Sequence, residues 1–252
     1  MLGFKPLPAP EPAPPAADGG RVDAPDPNDP ADRADPDDPD TGDPGRIDPA
    51  TDVPSTDPVV EAADSARADL QAHWSSVGAV PSAVALVVVP DDQRLVVTAC
   101  AAGPVDGSAA AFYCPADDTI VVARRILAAI ERGFGLHAAE AIIAHEYAHN
   151  VQAERGLVFA RVVDAELQAD CLAGQWSRSR RERALVGQAG IDDAARLFWL
   201  LGDYEFGSAD HHGTPGERLG AFYRGVDGRD CPVSWSALTG TAPAGAAADR
   251  ND

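Results

Sequence analysis

The stretch Ala141–Asn150, "AIIAHEYAHN", sets two of the chain's six histidines four residues apart, with Glu146 directly after the first. Each helical residue advances about 100° around the axis, so His145 and His149 fall within about 40° of each other and project from one face. Two neutral imidazoles so placed can grip one divalent ion at about 2.1 Å each. Glu146 falls beside them, where its carboxylate can take a proton from a water activated by the metal. The preceding "HAAEAIIA" (137–144) is small and apolar, which suits a helix buried through the middle of a domain. A five-residue pattern also arises by chance, so this reading needs a third ligand.

A catalytic zinc site takes three protein ligands and keeps a fourth position open. In the metzincin pattern a third histidine would fall at Arg155, and Gln152 stands where that pattern needs glycine. The other solution is a glutamate on the next helix, and "DAELQADCLAG" (164–174) supplies one. Glu166 and Asp170 are again four apart. Glu166 would complete the coordination, while Asp170 would accept the free N–H of a ligand histidine and fix its tautomer. Asp164 and Cys171 point roughly 160° and 140° away from Glu166, which makes them poor rivals. Without the HExxH upstream, such a pair would read as a solvated helix face.

Around this centre the chain divides by composition. Residues 1–58 hold 14 acidic and 4 basic residues and 15 of the 22 prolines, about half of the net charge of −20. Runs such as "DPNDPADRADPDDPD" bury too little apolar surface to offset chain entropy, so a disordered, extended tether is expected. A calcium role for its Asp residues is disfavoured by the prolines. Residues 59–236 suit one domain with a proper core, and 237–252 read as a loose tail. The acidic balance and the lack of a basic stripe argue against nucleic acid. The longest apolar run, "AVALVVV" (83–89), is too short to span a bilayer, and "MLGFKPLPAPEPAPP" shows no apolar signal-peptide core.

"PVVEAADSARADLQAHWSSV" reads as an amphipathic helix. Short β-rich runs follow, "SAVALVVV", "RLVVTACA", "AAFYC" and "DTIVVA", separated by turn chemistry, and three or four strands in an antiparallel meander are expected. After Arg125 the patterns are helical. Strands first and helices afterwards predict an α+β domain. Cys100 and Cys114 flank a Gly-rich turn, a spacing that fits a disulfide, and Cys171 and Cys231 could form a second. Four buried thiols would look the same in sequence. Trp74, Trp176, Phe198 and Trp199 read as core, and His73 and His137 as surface or helix-end residues.

Taken in order along the chain, "AFYCPADDTI", "HEYAHNVQ", "ELQADCLAG" and "HHGTPGERL" resemble the successive motifs of the bacterial putative neutral zinc metallopeptidases. The resemblance implies a zincin-like fold, Zn²⁺ held by His145, His149 and Glu166, and Glu146 as catalytic carboxylate and general base. It differs at Ala148 and Asn150, where the family pattern has glycine and a further histidine. The chemistry expected is peptide-bond hydrolysis on a peptide or protein substrate. The other reading is an inactive, zinc-stabilised scaffold of the cell envelope. His212 is the candidate oxyanion donor, with His211 and Tyr147 behind it; alternatively the two histidines form a polar turn before a helix capped by Thr214. Arg218 is expected to brace this loop. "AAFYCPADD" is a candidate substrate-binding edge, or else an interior hairpin strand. The cysteines and the resemblance point to the cell envelope or exterior, although no export signal is visible.

Overall fold

The computed structural model describes residues 57–78, 83–101, 103–109, 111–208 and 211–235. The expected tether and tail lie outside these residues, apart from Asp57 and Pro58. Those two start the first helix, α1 (Pro58–Ser76). Asp57 accepts the Val59 N–H at 3.0 Å as N-cap, and proline occupies the first helical turn, where a missing N–H costs nothing. The Asp57 carboxylate also pairs with Arg124, which holds it below its ordinary pKa.

Five short strands follow: β1 (Ala85–Val89), β2 (Leu95–Val96), β3 (Val105–Asp106), β4 (Ala111–Cys114) and β5 (Thr119–Ala123). Five further helices complete the order: α2 (Arg124–Phe134), α3 (Leu136–Glu154), α4 (Val162–Glu182), α5 (Gln188–Leu200) and α6 (Pro215–Val226). The domain is α+β, as its element order predicts. The expected antiparallel meander requires correction. The sheet is mixed, in the order β1-β5-β4, with β1 parallel to β5 (Val87 opposite Val121) and β4 antiparallel to it (Phe112 opposite Val121). β2 and β3 form a separate two-stranded ladder. β5 takes the centre because it is apolar on both faces. Ile120 and Val122 pack into the main core, whereas Val121 joins Val89, Val96, Phe112 and Cys114 on the other side.

Helix α3 is apolar or small nearly all round and is buried nearly all round. It packs against α1, α2, α4 and α5, so it runs through the domain centre. Trp74, Trp176 and Phe198 are core, as expected, but Trp199 is 47% exposed: its neighbour on α5, Phe198, takes the inward face. His137 sits at a helix end yet is buried. It stacks on Trp176 and lies 3.3 Å from Glu140 and 3.1 Å from Ser177.

Helices α4 and α6 pack backbone to backbone. A Cβ on Gly174 would overlap the Phe222 carbonyl oxygen, and one on Gly225 would overlap that of Cys171. Gly→Ala inside an exposed helix normally stabilises by about 0.5–1 kcal/mol. Here the sign reverses: Gly225→Ala should destabilise by about 1–3 kcal/mol through overpacking, read as a lowered denaturation midpoint. A stabilised variant would mean that the two helices do not touch. Both cysteine pairs close, Cys100 with Cys114 and Cys171 with Cys231. The second ties the segment after α6 to the middle of α4.

Candidate active site and metal centre

α3 and α4 lie side by side and turn toward each other the faces read from their i, i+4 spacing. One ligand atom from each of His145, His149 and Glu166 lies within 4.8 Å of the others. His145 Nε2 is 3.3 Å from Glu166 Oε2, and His149 Nε2 is 3.5 Å from Glu166 Oε1. Two donors each about 2.0–2.1 Å from a tetrahedral ion stand roughly 3.3–3.4 Å apart. The two histidine–glutamate separations therefore match those expected around a zinc ion. The donor set fits as well. Both ring nitrogens of His145, Glu166 Oε2 and Glu146 Oε1 are buried without a well-formed hydrogen bond, an arrangement that costs energy unless an ion pair or a bound ion satisfies those atoms.

Both imidazoles are held from behind. His145 Nδ1 lies 2.8 Å from Asp170 Oδ1, so its Nε2 is the atom presented to Glu166. His149 Nδ1 lies 2.9 Å from Gln152 Oε1, and the Gln152 amide donates in turn to the Ala165 carbonyl at 2.8 Å. Asp170 is itself fixed by Arg218, whose Nε and Nη2 donate to its two oxygens at 2.8 and 2.7 Å. Arg218 is fully buried and also reaches the Leu201 carbonyl. It braces from within, as its position in "HHGTPGERL" implied, and it also extends the chain of contacts to His145.

The electrostatics follow from burial and pairing. Burial alone would depress the His145 pKa, but Asp170 and Glu166 overcome this and hold it up at about 9. Burial alone would raise Glu166, but its contacts with His145 and His149 carry it well below the ordinary range. These are two views of one interaction: a proton on the imidazole occupies the place that a metal ion takes when it binds. Glu146 differs. Burial raises its carboxyl, and no side chain accepts or donates at its Oε1.

A cleft of about 320 Å³ opens onto Glu146, His149 and Glu166. His212 is not among the residues that line it. The His212 backbone N–H donates to Asp203 Oδ2 at 3.0 Å and the ring lies 3.6 Å from the same carboxylate, while His211 also pairs with Asp203. Asp203 is held down at about 2; burial opposes this, but N–H donors from His212 and Glu205 prevail. The polar-turn reading of this segment is the one the structure displays. Thr214 caps α6 in a reciprocal capping box with Glu217. Tyr147 points the other way, its hydroxyl on Gln71 of α1.

Two features were not read from sequence. Gln152, which stands where the metzincin pattern needs glycine, instead orients His149, and its i+3 spacing from that histidine is the signal in the sequence. The second is a link from α3 to the β4–β5 hairpin. Asn150 donates to the Tyr113 hydroxyl at 3.1 Å, and that hydroxyl donates to Asp118 Oδ1 at 2.6 Å. Burial and Asp118 push the Tyr113 phenol up to about 12, which keeps it a donor. Asn150, where the family pattern has histidine, thus has a fully buried bridging role.

Residues 71–162 match the model of the family described as Putative neutral zinc metallopeptidase. The match includes His145, Glu146 and His149 and stops short of Glu166, whose place rests on the geometry above. The chain is 28% identical over 160 residues to the uncharacterized protein YpfJ of Escherichia coli (strain K12), covering 53% of this chain and 55% of that protein. It is 36% identical over 89 residues to the uncharacterized protein Rv2575 of Mycobacterium tuberculosis (strain ATCC 25618 / H37Rv), covering 30% of each. The chain thus spans about half the length of the first of these relatives. No solved structure matches.

Proposed function

We propose, from the match of residues 71–162 to the model of the Putative neutral zinc metallopeptidase family, that this protein hydrolyses peptide bonds at the cleft between α3 and α4. The observation that carries the reading is the convergence of His145, His149 and Glu166 beside an uncommitted, buried Glu146 carboxylate oxygen. Zinc held by those three side chains would supply Lewis acidity toward the scissile carbonyl and acidify water. Glu146 would take the proton from the attacking water at a carboxylate oxygen and pass it to the leaving amine nitrogen. A raised carboxyl is the better proton acceptor for that work. Asp170 and Gln152 would keep both imidazoles in the tautomer that turns Nε2 forward.

Ala148 and Asn150 do not weigh against activity, since one packs in the core and the other bridges to Tyr113. Two disulfides favour an oxidising location, and we place the protein in the cell envelope or outside the cell. No helix among the described residues is long and apolar enough to cross a membrane.

The test compares the parent with Glu146→Gln, both carrying one zinc per chain, on unfolded casein. The variant should keep its zinc and lose at least about 100-fold in rate. Equal and undetectable cleavage by both would leave a zinc-stabilised scaffold instead.

A further inference from the structure

Beyond the candidate zinc-binding side chains and Glu146, the cleft is lined mainly by apolar side chains, with Gln152 as a further polar one. On one side stand Phe112, Tyr113 and Pro115 of β4 and the turn after it; on the other stand Leu157 and Phe159 of the α3–α4 connection. Leu157 and Phe159 are half-buried, while Val158 between them is 86% exposed. The first and third of these side chains face the cleft and the second faces solvent. β4 is an outer strand of its sheet, pairing with β5 alone among the described strands. Its wall is fixed, because Tyr113 is tied to Asp118 and through Asn150 to α3. Pro115, which has no N–H, ends the edge that an added strand could follow.

Charge is distributed unevenly here. Among the described residues, the carboxylates lining the cleft are Glu146 and Glu166, both assigned to the chemistry, and no lysine or arginine lines it. An acidic side chain entering between Phe112 and Phe159, away from the metal ligands, would lose its water without a lysine or arginine among the lining residues to pair with, which is costly. A bulky apolar side chain would bury surface against five nonpolar partners and lose nothing. The volume is near the lower end for ligand sites, which run from about 300 to 1,000 Å³. That suits a short segment carrying one or two side chains.

We infer that the cleft selects peptides by one bulky apolar side chain, such as Phe or Leu, seated between β4 and the Leu157–Phe159 segment next to the scissile bond. The inference deepens the peptidase reading and rests on it for the position of the cut, but recognition can be measured without turnover. The probes are labelled Ala/Gly hexapeptides bearing a single Phe, Leu, Ser or Asp. The receptor is the zinc-loaded Glu146→Gln chain, and binding is followed by fluorescence anisotropy.

The Phe and Leu peptides should bind about 10- to 100-fold more tightly than the Ser and Asp peptides, as expected for burying one such side chain. In the same chain carrying Leu157→Ser and Phe159→Ser as well, with zinc still at one per chain, that ratio should fall below about threefold. Equal affinities overturn the inference. So does a preference that survives the double serine change, since apolar recognition would then lie elsewhere. Cleavage by the parent with no side-chain preference at the cut overturns it too, while leaving the peptidase reading intact. The expected binding ratio with no cleavage by the parent supports the subsite and removes the peptidase reading.

Discussion

Glu166→Ala should bind zinc about 10³-fold more weakly than the parent and should retain close to none after dialysis, where the parent keeps one ion per chain. Structural zinc sites bind with roughly 10–16 kcal/mol spread over their ligands, so one donor of the set carries about 3–5 kcal/mol. Among the described residues, the other carboxylates of the α4 face are committed elsewhere, and Glu146 is the one carboxylate left beside the site. Asp170 is engaged by both His145 and Arg218, and Asp164 is held by Arg161 and the Trp235 N–H. Glu182→Ala, on the exposed end of the same helix, is the control and should leave affinity unchanged. Metal content by mass spectrometry, followed by competition with a chelator of known affinity, gives both numbers. If the Glu166 variant held zinc as tightly as the parent, the third ligand would have to be sought elsewhere and α4 would lose its role.

The second large effect concerns a residue that touches neither metal nor cleft. Arg218→Met should lower the free energy of unfolding by about 4 kcal/mol. Arg218 and Asp170 form a bidentate pair with both side chains fully excluded from water. Breaking such a pair by removing one partner leaves an uncompensated buried charge, a loss of about 3–5 kcal/mol. Asp170 would then be free to rotate off His145 Nδ1, and zinc affinity should fall by a further 10- to 100-fold. Urea unfolding with an unchanged slope reads the first quantity, and chelator competition on the folded fraction reads the second. A stability loss under about 1 kcal/mol would mean that water reaches Asp170 and the pair is not truly buried. A stability loss with undiminished zinc affinity would separate the brace from the site, making Arg218 purely structural.

Much of the candidate site was legible because it rests on local geometry. The i, i+4 spacing of His145 and His149, and of Glu166 and Asp170, defines a face on any helix. The capping sequence from Thr214 to Glu217 likewise needs only its own residues. What could not be read depends on which segments meet. The parallel pairing of β1 with β5 follows from β5 having two apolar faces and from the intervening segment folding onto itself as β2 and β3. Nothing in "SAVALVVV" specifies that partner. Trp199 lies outside the core for the same reason: the face of α5 that turns inward is chosen by its neighbours, and Phe198 occupies it. His212 had the right chemistry for an oxyanion donor, yet Asp203, eight and nine residues before the two histidines, draws both into its loop.

The amino-acid sequence alone fixes two helical faces, each with its polar residues one turn apart, and the order of strands and helices that carries them. Only the tertiary structure decides that those faces confront each other at separations a single ion can bridge. It also decides that Gln152 and Arg218 hold the ligands from behind and that Leu157 and Phe159 close an apolar wall beside them. The reason is range. Backbone periodicity acts over a few residues, whereas convergence requires helices to pack closely: α3 against α4 at the ligands, and α4 against α6 through Gly174 and Gly225, where no side chain keeps the backbones apart and Arg218 reaches Asp170.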